Sequence, residues 1–287
     1  MSCAMRFPAA RTLVACALVC VMVQIVPAAS ARAEEKKSCT LLFSLPEGTV
    51  LHYKSFNQLD QNFSGTDVSM NQTSQVDMVH GSAPDSTGAA RVDLKYIEVK
   101  SSLLSGGRLM DWSPPIKLEG ATIRIMIMPN GDIVKFDPGR GVPGLQSVED
   151  LREIIDAWFI RFPEEEIAVG QSWTEEIVRE ERDDGPPGAK GQMVYTLKKI
   201  EKKGDLEVAV IEGKMKLELN QDTPAGMLVG EGKADLKAQV ALNGGYIVEL
   251  KETIEIRGDI VAKDPLTDKE TKRETAVTQI YERKLQQ

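Results

Sequence analysis

Histidine and cysteine are scarce in this chain, and their scarcity excludes much chemistry. The 287 residues hold two histidines, His52 and His80, and four cysteines. Neither histidine has a Cys or His partner three or four positions on, so the zinc-binding spacings are missing. Gly170-Gln171-Ser172-Trp173 lacks the second glycine of a nucleophile elbow, and no D-x-D-x-D-G run offers a calcium loop. Three cysteines, Cys3, Cys16 and Cys20, fall in the first 20 residues. Cys39 therefore stands alone in the body of the chain and has no internal disulfide partner. We assign no catalytic residue, no metal ligand and no cofactor from the sequence.

Positive charge is also in deficit, with 35 Lys and Arg against 43 Asp and Glu, a formal charge of −8. That balance speaks against nucleic acid as a partner and against electrostatic adhesion to anionic lipid headgroups. Long apolar runs are limited to one, Leu13 to Val26. Arg6 and Arg11 precede it and Ala31-Arg32-Ala33 follows, the layout of a secretory signal peptide over residues 1–33. Its removal takes away three arginines and no acid, which leaves residues 34–287 at −11. The expected location is the periplasm or the exterior, with no transmembrane segment left after cleavage. Leu13-Val14-Ala15-Cys16 resembles a lipobox, but the four residues between Arg11 and Cys16 leave almost no apolar stretch ahead of the cysteine.

What the chain has in abundance is alternation. Val68, Met70, Val76 and Met78 share one phase, as do Val92, Leu94 and Tyr96, then Ile123, Ile125 and Ile127. Period two marks strands with one face buried and one in water. Asn130-Gly131 between Ile127 and Ile133 predicts a two-residue hairpin turn. Farther on, Met193, Tyr195 and Leu197, then Met215, Leu217 and Leu219, then Leu236, Ala238 and Val240 repeat the pattern around turn signals at Gly204-Asp205 and Asn243-Gly244-Gly245. Tyr246, Val248, Leu250, Ile254 and Ile256 keep a single phase over about 35 Å at ~3.4 Å per residue. Strands this long belong to curved sheets or barrel walls.

One segment has helical period instead. Ser147 is a natural N-cap, Leu151, Ile154, Ile155, Trp158, Phe159 and Phe162 fall on one stripe, and Pro163 stops the run, so a helix is predicted over 148–162. The fold class expected is mainly β: a long antiparallel curved sheet or half-barrel packed around one amphipathic α-helix. Residues 34–287 read as a single β-rich domain. The halves 40–145 and 163–287 share enough strand-turn spacing to suggest a degenerate duplication about the helix.

Gly139-Arg140-Gly141-Val142-Pro143-Gly144 matches G-x-G-x-x-G, yet the strand ahead of it belongs to a hairpin rather than a βαβ unit. We read it as a direction-changing loop. The carboxylate clusters Glu164-Glu165-Glu166 and Asp183-Asp184 read as solvated surface. Methionines such as Met193, Met215 and Met227 suit either a core or an adaptable apolar cavity.

Phe162-Pro163 followed by Val169-Gly170-Gln171-Ser172-Trp173-Thr174 resembles a motif of exported bacterial protein families of unknown function. The resemblance implies an amphipathic helix, a Phe-Pro stop, and a Val-Gly-x-x-Trp entry into long antiparallel strands. More distantly, a curved sheet around a helix is similar to the half-barrels of periplasmic lipoprotein carriers. That likeness implies an apolar cavity between sheet and helix, here lined by Leu151, Ile154, Ile155, Trp158, Phe159, Phe162 and Trp173. The expected function is non-enzymatic binding of a hydrophobic small molecule or lipid in the cell envelope. The alternatives are an interaction module with a filled core and an envelope protein partner, and an uncharacterised hydrolase.

Overall fold

The alternating segments become strands, most of them 14 to 18 residues long. The computed structural model describes residues 37–63, 66–82, 86–114, 116–139, 142–144, 149–180, 187–223, 226–263 and 270–286. In chain order the elements are β1 (Ser38–Cys39), β2 (Val50–Phe63), β3 (Thr66–Ser82), β4 (Ala90–Ser105), β5 (Arg108–Asp111), β6 (Thr122–Ile127), β7 (Ile133–Asp137) and α1 (Glu149–Asp156). They continue with β8 (Ile167–Ala168), β9 (Ser172–Glu180), β10 (Pro187–Lys203), β11 (Leu206–Thr223), β12 (Gly226–Ala241), β13 (Ile247–Lys263) and β14 (Glu270–Leu285). The predicted signal peptide and Ser147 lie outside the described residues. No described helix is long and apolar enough to cross a membrane.

Twelve strands form one open, curved antiparallel sheet in the order β7-β6-β4-β3-β2-β14-β13-β12-β11-β10-β9, with β5 beside β4; β1 and β8 pair separately. Nearly every neighbour along the sheet is a sequence neighbour, so each hairpin brings the next strand into place. The exceptions are β6, which pairs with β4 past the short β5, and β14, the last strand, which lies beside β2. Between β12 and β13 the backbones approach closely where Gly230 faces Gly258: a Cβ on Gly230 would lie 2.3 Å from the Arg257 carbonyl oxygen. Only glycine fits such an approach, and it marks a place where the sheet coils.

One face of the sheet carries the core. At one end of the long strands, Tyr53, Val76, Leu94, Ile125, Leu197, Ile211, Leu236 and Val240 pack beneath the N-terminal segment Leu41–Leu45, α1, and the chain that follows α1. We call this the helix-side face.

Three local expectations differ from the structure. The Asn130-Gly131 hairpin forms, but its loop runs from Met128 to Asp132. The Gly131 amide bonds to the Met128 carbonyl at 2.9 Å and Gly131 sits at φ +89°. That is a turn followed by a left-handed glycine rather than a two-residue connection. In β13, Ile247 takes the helix-side position opposite Val240, and Val248 is passed over at a bulge. Val248 then joins a small cluster with Val208 and Ala241, which breaks the single phase read from Tyr246 to Ile256.

The third difference is the helix. It ends at Asp156, and Phe159 to Phe162 have no regular secondary structure. The bond that would continue it, Phe162 amide to Trp158 carbonyl, is replaced at both ends. The Phe162 amide donates to the Asn130 carbonyl at 2.7 Å, and the Trp158 carbonyl accepts from Arg283 at 2.8 Å. A distant loop and a distant strand thus offer these groups partners outside the helix, and the stripe is split between a two-turn helix and an irregular segment.

Candidate functional site

Each strand places alternate side chains on the helix-side face, so the registers give rows across the sheet. Nearest the helix, Ser74, Ser55, Arg283, Leu250, Ala238, Ile211 and Leu197 form one row. The next holds Gln72, Asn57, Tyr281, Glu252, Leu236, Gly213 and Tyr195, and beyond it lie Met70, Leu59, Gln279, Ile254, Ala234, Met215 and Met193. Still farther from the helix come Val68, Gln61, Val277, Ile256, Gly232, Leu217 and Gly191.

The first row and its surroundings are packed solid. Leu151 and Ile155 are fully buried, Trp158 and Phe162 nearly so, and Ile154 and Phe159 are half-buried against the same core. The expected apolar cavity meets a gap of only about 10 Å³ beside Trp158, Phe159 and Phe162, room for about one water. Phe43, from the N-terminal segment, and Tyr246 occupy the space the sequence left open; the Phe43 ring meets Phe159 edge-on at 5.8 Å. Trp173 lies apart from Trp158. It stacks on Tyr195 at 5.2 Å and donates its indole N–H to the Arg161 carbonyl at 2.7 Å.

Trp158 is held by three groups. Its Nε1–H donates to the Tyr96 hydroxyl at 3.2 Å, the Tyr53 ring meets it edge-on at 5.5 Å, and the Arg283 guanidinium lies 4.2 Å from its ring centre. Arg283 is 1% exposed and donates to the Trp158 and Ala157 carbonyls, which supplies a positive charge at the helix C-terminus. Burial pushes the Tyr53, Tyr96 and Tyr281 phenols up, so these rings stay neutral.

Two carboxylates on this face escaped sequence reasoning. Burial pushes Glu252 up, and the Arg283 charge pulls it back in part. A carboxylate in the apolar phase between Leu250 and Ile254 was the available signal. Glu175 accepts from Tyr195 at 3.1 Å and pairs with Arg161 at 3.1 Å; burial raises its carboxyl against the pull of that arginine. Arg161 also bonds Asp132 at 2.9 Å, so this cluster ties β9 to the loop of the β6–β7 hairpin.

Beyond the first two rows part of the apolar face stays in contact with solvent, while Met193, Met215, Ala234, Leu219 and Ile260 are buried. Met70, Leu59, Ile254, Ile256, Val277 and Leu217 all keep partial exposure. Gly232 leaves a low place between Leu217 and Ile256, whose side chains lie within ordinary contact distance of where its Cβ would be. The arrangement is an apolar shelf continuous with the core.

On the opposite face His52 and Asp77 come together across β2 and β3, Nδ1 to Oδ1 at 2.7 Å. The pair stands among Lys54, Gln75 and Ile97 without a serine or cysteine in the lining of that groove. Among the described residues no group of three or more His, Cys, Asp or Glu is arranged to hold a metal ion.

No family model and no curated protein matches this chain. A solved structure concerned with lipid–protein interactions in lipovitellin is similar to it, with a TM-score of 0.54 at 10% identity, over 84% of this chain and 25% of that one. This chain therefore spans about a quarter of the lipovitellin chain it matches, and the likeness is one of fold.

Proposed function

We propose that this protein is a non-enzymatic, exported envelope protein that holds a lipid-like molecule on the apolar shelf of its helix-side face. The carrying observation is the run of partly exposed apolar side chains, Leu59, Met70, Ile254, Ile256, Val277 and Leu217, at the margin of the core. Monomeric soluble folds rarely leave such a contiguous surface without a use. The fold likeness to lipovitellin supports the reading, because it belongs to a protein studied for its contacts with lipid. The layout of residues 1–33 supports export. With only about 10 Å³ beside Trp158, the ligand belongs on the shelf rather than under the helix.

The test is mass spectrometry of gently purified protein, followed by titration with a fluorescent fatty acid. The reading requires a co-purifying apolar molecule or saturable probe binding; absence of both, in repeated preparations, rejects it. A second reading is favoured by the same small gap: an interaction module with a full core and an envelope protein partner. Crosslinking that recovers one stoichiometric partner, with no probe binding, would select it.

A further inference from the structure

The helix-side face is chemically divided. On β10 to β13 its outward rows are mainly apolar, with Ile254, Ile256, Leu217 and Leu228 among glycine and alanine; Gln221, opposite Leu228, stands near the far rim. On β4, β3, β2 and β14 the same rows carry Ser101, Gln72, Asn57, Gln61 and Gln279 among their apolar neighbours. These amides are half-exposed. Gln279 donates to Asn57 at 3.1 Å, which leaves most of their donors and acceptors unspent. The Ser101 hydroxyl is buried with no hydrogen-bond partner among the described residues.

Charge on this face is nearly self-contained. Arg283 is committed to the Ala157 and Trp158 carbonyls and lies near Glu252, while Arg161 is paired with Glu175 and Asp132. From the row of Ser55 outward, no lysine holds a helix-side register position on β2, β3, β11, β12, β13 or β14. Lysines such as Lys54, Lys214, Lys216, Lys233 and Lys251 stand on the other face of the same strands. Arg108 and Arg273 hold helix-side register positions only on the edge strand β5 and near the far rim. Recognition of a phosphate or carboxylate calls for free guanidinium or ammonium groups, and among the described residues the middle of this face offers none.

We infer that the ligand is an amphiphile whose polar part is uncharged and rich in hydroxyl groups, a glycosyl or polyol group. Its chain lies on the β10–β13 side and its hydroxyls meet the amides of β2, β3 and β14. Side-chain amides and serine hydroxyls both donate and accept, as sugar hydroxyls do, so each ligand hydroxyl finds a complementary partner. This rests on the lipid reading above and specifies its headgroup.

The experiment compares two probes with the same twelve-carbon chain, n-dodecyl-β-D-maltoside and dodecanoate, together with free maltose. Each is titrated calorimetrically below micelle formation into the chain lacking residues 1–33. The maltoside should bind about tenfold or more tighter than dodecanoate, and maltose far more weakly than either. Gln72→Leu with Gln279→Leu should bring the two amphiphiles within about twofold while the melting temperature holds. Gln61→Leu alone, expected to narrow the ratio, serves if the double variant does not fold. Equal or tighter dodecanoate binding overturns the headgroup inference and leaves the apolar shelf standing. Maltose binding as tightly as the maltoside overturns the amphiphile. Failure of both amphiphiles overturns the lipid reading itself.

Discussion

Arg283 lies with its guanidinium 4.2 Å from the centre of the Trp158 ring and donates to the Trp158 carbonyl at 2.8 Å. One residue of the last strand thereby ends the helix, neutralises its C-terminal dipole and seats its largest side chain. It also couples β14 to the segment that closes the packed end of the sheet.

Replacing Arg283 by Met should cost about 3 kcal/mol, because two carbonyls at the helix end lose charge-assisted donors and the indole loses its cation. Arg283→Lys should recover little of the loss, since an ammonium lacks the planar fork that reaches two carbonyls while lying over a ring. Urea denaturation of both variants measures this.

Gly131 is tied to the segment that follows the helix. It sits at φ +89°, and a Cβ there would lie 2.3 Å from the Ile160 carbonyl oxygen. Gly131→Ala should lower stability by about 2 kcal/mol or more, from backbone strain and from the enforced retreat of Ile160. The melting temperature gives the readout, with Gly48→Ala, left-handed but open to solvent, as the milder comparison.

His80 gives the fold a defined response to acid. Its ring is buried, and burial lowers its pKa, against the pull of a hydrogen bond to the Pro46 backbone and of the nearby Glu47 charge. The unfolded chain therefore binds a proton at higher pH than the folded one. The stability that a neutral His80 contributes is full above the unfolded value of about 6.5, and it is lost as pH falls from there toward the depressed folded value. Between pH 7.5 and 5.5 the chain should lose stability that a His80→Gln variant does not lose. Chemical denaturation at the two pH values checks the difference, and equal slopes would contradict it.

Much of the sheet was legible in the sequence, because period-two alternation is a local property with one physical cause. Val76 and Met78, Leu94 and Tyr96, Ile123 to Ile127, and Leu236 to Val240 all turn toward the core as their phase implies. Phase fails at bulges, where one extra residue reverses the alternation. Val248 is passed over in β13, and in β4 Ile97 is passed over between Tyr96 and Glu98 and stands exposed. The helix was half legible. Leu151, Ile154 and Ile155 signalled it correctly, but its end depends on Arg283, more than a hundred residues away, and on the Asn130 carbonyl. Apolar residues at helical spacing say nothing of whether a remote strand will claim their backbone groups. The shelf was hidden for a related reason: Leu59, Ile256 and Leu217 become neighbours on one face only once β14 is placed beside β2, a pairing no local signal announces.

The shelf can be probed at a single side chain. Leu217→Glu puts a charge beside Gly232 and Ile256 at the partly exposed margin of the core, so it should destabilise the fold far less than a charge in the packed rows while an apolar ligand loses its seat. Ile211 stands on the same strand but is fully buried near the helix, so Ile211→Glu should unfold the protein instead. Circular dichroism of the two variants separates these outcomes.

The most direct measurement is titration of a fluorescent fatty acid into the unaltered chain and into Leu217→Glu, with melting temperatures recorded for both. Lipid binding on the helix-side face requires saturable binding to the first and at least about tenfold weaker binding to the second while the second still melts as a folded protein. Binding of equal strength in the two proteins, or none in either, would contradict it.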